Sequence, residues 1–164
     1  MKRSAIILLV IFAACIIHAC IAQGTDKPQA LSPDTSASVG PQAAALVADN
    51  DPHSAARRLV EWLADTPVAD RDFAMEFTRE VYRLYSVSAD SGSLEAFAST
   101  LEKAKDSLPL DKQVNVFVAV SSPSTLGQML RNDPQADTIA SLIIDRYASD
   151  SASTASFLKA FHSR

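Results

Sequence analysis

The chain has 164 residues, 48% of them hydrophobic, and carries 15 basic against 19 acidic residues, a net charge of −4. The acidic balance and the scatter of Lys and Arg argue against nonspecific nucleic-acid binding, which needs clustered cations to displace counterions. The length suits one domain and is enough to bury a core.

Residues 1–22 read as a secretory signal sequence. Lys2 and Arg3 give a positive start, an uncharged apolar run covers 5–17, and Cys20-Ile21-Ala22 puts small side chains at the third-last and last positions before a cut. Gln23 is then the first mature residue. A second reading is lipidation at Cys20. Ile17-His18-Ala19-Cys20 resembles a bacterial lipobox, although His18 stands where a small or apolar residue is usual. A third is an uncleaved anchor, but the apolar stretch is only 18 residues and contains His18, whereas a span wants about 20.

Cleavage after Ala22 would leave 142 residues and remove Lys2 and Arg3. The remaining 13 basic and 19 acidic residues give a net charge of about −6. Cys15 and Cys20 both lie in the leader, so that mature chain has no thiol for a disulfide, a zinc site or a nucleophile. The expected address is the periplasm or the exterior, with membrane contact only through the leader or a lipid on Cys20.

Residues 23–41 are rich in Ser, Thr, Pro, Gly and Ala, with Leu31 and Val39 the only large apolar side chains. Too little apolar surface is available to offset ordering entropy, so a disordered linker is expected. From 42 to 164 the composition turns to that of a single helical domain. After the linker only Gly92 and Gly127 remain, which disfavours a turn-rich β-protein.

The apolar spacing predicts helices at 42–49, 52–64, 70–86, 93–107, 111–120, 123–131, 134–148 and 153–162. Asp51-Pro52, Ser122-Pro123 and Asp133-Pro134 each place a capping side chain before a proline, which has no N–H to lose in the first turn. In the second helix Ala55, Leu59, Trp62 and Leu63 share a face; in the third, Phe73, Phe77, Val81 and Leu84 do; in the fourth, Leu94, Phe97, Ala98, Leu101 and Leu108 do. Ile139, Leu142, Ile143 and Tyr147 line up in the seventh, and Phe157, Leu158 and Phe161 in the last. Each amphipathic helix needs a neighbour. The fold class expected is therefore all-α, a small helical bundle or stacked helical hairpins.

One segment is locally ambiguous. Val114, Val116, Val118 and Val120 alternate as in a strand, and valine favours strands. With no partner strand elsewhere, its backbone groups would stay unpaired, so a buried helix is the expectation. Asn50-Asp51-Pro52 and Asn132-Asp133-Pro134 look alike, but the residues that follow diverge, so the likeness is one cap chemistry used twice.

The residues carry little recognisable chemistry. His53 and His162, the histidines beyond the leader, have no second histidine at metal-ligand spacing. Serine-hydrolase elbows and phosphate or dinucleotide loops are absent from the sequence. Asp49, Asp51 and His53 begin like a calcium loop, but Ser54 and Val60 stand where glycine and a bidentate Glu are needed. Glu76, Arg79, Glu80 and Arg83 have the spacing of ion pairs along a solvent face.

Opposite the expected core face of the third helix fall Arg71, Met75, Thr78 and Tyr82, a stripe of adaptable contact residues and the candidate binding site. The competing reading buries that helix on both sides. No catalytic residue, metal or cofactor is expected. The functional expectation is a non-enzymatic module of the cell envelope or periplasm that binds a protein or peptide. An envelope lipoprotein with a structural role, or a hydrolase using dispersed carboxylates, are the alternatives.

Overall fold

A computed structural model gives the structure, and it describes residues 33–87 and 91–163. The leader, both cysteines and the linker up to 32 lie outside the described residues. Those residues form eight α-helices and one 3-10 turn, with no strand among them. The helices are α1 (Pro33–Ala48), α2 (Pro52–Asp65), α3 (Arg71–Ser86), α4 (Ser91–Asp106), α5 (Leu110–Val120), α6 (Pro123–Leu130), α7 (Ala136–Arg146) and α8 (Ser151–His162). The 3-10 turn, Val68–Asp70, leads into α3. The fold is all-α.

The proline caps set two helix starts as expected. Asp51 accepts from the His53 and Ser54 backbone N–H groups ahead of α2, and Ser122 accepts from Thr125 N–H ahead of α6. At Asp133-Pro134 the helix starts later. Asp133 accepts from Gln135 N–H at 2.7 Å and closes a turn first, so α7 begins only at Ala136.

The first helix differs from expectation. It begins at Pro33, so the linker expected to be disordered over 23–41 is helical from 33 onward. Gly40 and Pro41, which argued for a tether, lie inside it. Val39 and Ala43, one turn apart, are buried, and α1 packs along α3. That tertiary contact outweighs poor local propensity.

α5 lies at the centre, against α2, α3, α4, α6 and α7. Val114, Asn115, Val116, Phe117, Val118 and Ala119 are all buried. The alternating valines therefore need no sheet, because a helix enclosed on all sides is apolar all round. α2 and α4 form one closely packed pair in this bundle, and α6 and α8 another. At Gly127 an added Cβ would lie 2.5 Å from the Phe157 carbonyl oxygen and 2.8 Å from Phe161 N, so α6 and α8 touch backbone to backbone. Arg131 secures the same pair by donating to Ala160 O at 2.8 Å and Ser163 Oγ at 2.9 Å, and so meets one carbonyl in the last turn of α8.

Two expected faces differ in part. In α2, Ala55, Leu59 and Leu63 are buried, but Trp62 is 38% exposed. In α3 the buried line is Ala74, Thr78, Val81 and Tyr85, while Phe73, Phe77 and Leu84 are half-buried. α3 touches α1, α4 and α5, so its buried arc follows its neighbours rather than its largest side chains.

Candidate functional site

The stripe Arg71, Met75, Thr78 and Tyr82 does not form one exposed strip. Thr78 is only 3% exposed. Arg71, Met75 and Tyr82 are half-buried. Arg71 reaches α8 and donates to Ser153 Oγ at 3.3 Å. Tyr82 sets its ring edge-on to Phe97 at 5.2 Å. Burial, with the nearby Glu102 charge adding to it, pushes the Tyr82 hydroxyl well above the usual phenol range. Arg71 and Tyr82 thus reach across to neighbouring helices. The other assigned position, Cys20, lies outside the described residues.

Glu80 of α3 makes a surface pair. Arg83 donates to Glu80 through Nε at 2.7 Å and Nη2 at 2.6 Å, and this holds the Glu80 carboxyl below its ordinary range. Asp51 is held low by the Ser54 hydroxyl first, then by the backbone amides it caps. Neither has the raised pKa of a general acid.

Among the described residues one charged side chain is buried. Lys105 on α4 has no exposed surface. Its ammonium lies 2.9 Å from Glu102, 3.2 Å from Asp106 and 5.1 Å from the centre of the Phe117 ring. Burial raises the Glu102 carboxyl, and the Lys105 bond only partly offsets it. A buried ammonium this well matched ties α4 to α5 rather than meeting a ligand. The sequence held a signal for it. Leu94, Phe97, Leu101, Lys105 and Leu108 follow each other at spacings of three and four, so Lys105 stands in an apolar stripe.

The exposed face of α2 has the composition of a contact surface. Arg57, Arg58, Glu61, Trp62 and Asp65 are all exposed on it. Trp62 lies edge-on to Phe77 at 5.2 Å and to Phe73 at 6.1 Å, so the half-buried phenylalanines of α3 buttress an exposed indole. Two grooves meet at Glu61. One, of about 440 Å³, runs past Trp62, Thr66 and Pro67 towards Asp70. The other, of about 470 Å³, lies between α2 and α4 with His53, Arg57 and Lys103 around it.

The second groove is a built feature. Thr100, 9% exposed, bonds through its hydroxyl to His53 Nδ1 at 2.6 Å and so fixes the imidazole at the groove mouth. Val60, Ala104 and Leu108 give it an apolar floor. Sequence reading placed His53 at the surface, which is correct, but gave it no partner. Thr100 is 47 residues away, and a cross-helix bond of that kind leaves no local pattern.

Among the described residues no group of three His, Cys, Asp or Glu side chains could hold a metal ion, and no helix is long and apolar enough to cross a membrane. The arrangement offers shape, an exposed aromatic side chain and scattered charge, features found at contact surfaces. Comparison with known protein families, with curated proteins and with solved structures gives no match for this chain.

Proposed function

We propose that this chain is an exported, non-enzymatic binding module of the cell envelope or periplasm, and that it meets its protein or peptide partner with the outer face of α2. The supporting observation is Trp62, the chain's single tryptophan, exposed on that face and braced by Phe73 and Phe77. Tryptophan and arginine dominate the energetics of protein contacts, and a rigid indole loses little entropy on binding. The helices act as one bundle around α5, which holds that face in place. The leader supplies the address, either by cleavage after Ala22 or with a lipid on Cys20.

The test places a photo-cross-linking amino acid at position 62, or at exposed Ser141 on α7, in the cell that makes the protein. One discrete adduct from 62 and none from 141 is the expected outcome. Identical adducts from both positions, or none from 62, would sink the proposal.

A further inference from the structure

We infer that the groove between α2 and α4 takes an extended acidic segment of a partner polypeptide, an inference that rests on α2 being the binding face. The charge around the groove opposes that of the molecule. The chain is net negative, yet His53, Arg57 and Lys103 surround this groove with Glu61 as its one acidic lining residue. Among the described residues neither Arg57 nor Lys103 has a carboxylate within ion-pair distance, whereas Lys112 pairs with Asp65 and Arg83 with Glu80. Asp51, beside His53, turns its oxygens to its own helix start, accepting from His53 N, Ser54 N and the Ser54 hydroxyl. Among the described residues the two cations therefore face the groove with no carboxylate in ion-pair contact.

The shape selects an elongated ligand. The lining positions recur at helical spacing on both walls, 53, 57, 60 and 61 on α2 and 99, 100, 103 and 104 on α4, with 107 and 108 just past its end. From His53 to Glu61 the helix rises about 12 Å, at roughly 1.5 Å per residue. That length takes three or four residues of an extended strand at about 3.3 Å each. The groove is open to solvent, whereas a small-molecule site encloses most of its ligand. A peptide also fits better than a nucleic acid. Glu61 at the groove end, with Asp70 beyond it, would repel the next phosphates of a polyanion. A polypeptide can instead alternate carboxylates, for Arg57 and Lys103, with apolar side chains for Val60, Ala104 and Leu108.

The test uses the protein as processed by the cell, with fluorescein-labelled hexapeptides followed by anisotropy. One probe alternates Glu and Leu, a second has Gln in place of each Glu, a third has Lys, and a fourth is a thymidine hexanucleotide. The Glu probe is expected to bind best and to weaken as salt is raised. Combined Arg57→Glu and Lys103→Glu, both at exposed positions, should weaken it by about tenfold or more while leaving the circular dichroism unchanged. Equal binding of the Glu and Gln probes overturns the inference, as does tighter binding of the oligonucleotide. So does a sedimentation result in which a second copy of the chain occupies the groove. If those arms fail while the cross-link at position 62 persists, only the acidic ligand is refuted; if the cross-link also fails, the binding face itself is refuted.

Discussion

The side-chain amide of Asn115 donates to the carbonyl oxygen of Ala64 over 2.8 Å, and so joins the middle of α5 to the last turn of α2. The carbonyls of a final helical turn have no partner within their own helix. Here a buried residue of the central helix supplies one, at the end of the helix that carries the proposed binding face.

Asn115→Ala should therefore destabilise the protein by about 1–3 kcal/mol, because the Ala64 carbonyl stays buried without its donor. Urea denaturation would measure this. Asn115→Asp should be no better, since a carboxylate cannot donate. A midpoint unchanged in both variants would refute the role given to this bond.

Trp62 and Leu63 are neighbours in sequence with opposite placements. Leu63 is fully buried, so Leu63→Ala should cost about 2–5 kcal/mol. Trp62→Ala should cost about 1–2 kcal/mol, mainly through its two edge-to-face contacts. Comparable losses in melting temperature would mean that the indole is a core residue and not a contact group.

How far the sequence could be read is clear from this pair. Spacing placed both on one apolar face, and for α2 that face is right apart from its edge. The helices from 52 onward and two of the three proline caps were legible because they depend on local chemistry, whereas the valine run could be read as helix only from the lack of a partner strand. The buried line of α3 was not legible. Phe73 and Phe77 outrank Ala74 and Thr78 in hydrophobicity, but α1, α4 and α5 decide what α3 buries. The same limit hid the groove, whose walls come from two helices and whose His53–Thr100 bond spans 47 residues.

Lys105 gives a prediction with a sign. Lys105→Ala should cost about 3–5 kcal/mol, because it leaves Glu102 without its partner, and Lys105→Met should cost less. Burial raises the Glu102 carboxyl in the folded state. The folded protein then holds a proton that the unfolded chain has released. Stability from this group is therefore present at low pH and falls as pH rises through the window just above the ordinary glutamate value. The caps Asp51 and Asp150, the latter accepting from Ser153 N–H ahead of α8, act oppositely: their lowered values contribute stability that is lost as pH falls below the ordinary aspartate range. Urea midpoints measured across the acid range should show the Glu102 slope vanish in Glu102→Gln while the Asp slope remains.

Gly127→Ala should cost about 1–3 kcal/mol, since the new methyl group would meet backbone atoms that cannot swing aside. Gln128→Ala, one position on and exposed, should be near neutral. Differential scanning calorimetry of the two variants makes the comparison, and a Gly127→Ala protein as stable as the parent would contradict the close approach.

That approach at Gly127 also offers a way to find kin. Helix faces drift freely in sequence while hydrophobicity is kept, so overall similarity fades quickly between distant relatives. A backbone-to-backbone crossing cannot drift in this way, because only glycine leaves room for the Phe157 carbonyl and the turn that holds Ala160. A chain descended from the same ancestor should therefore pair a glycine in one short helix with a small residue about 33 positions later, at the spacing of Gly127 and Ala160. That signature can be sought even where the rest of the sequence has become unrecognisable.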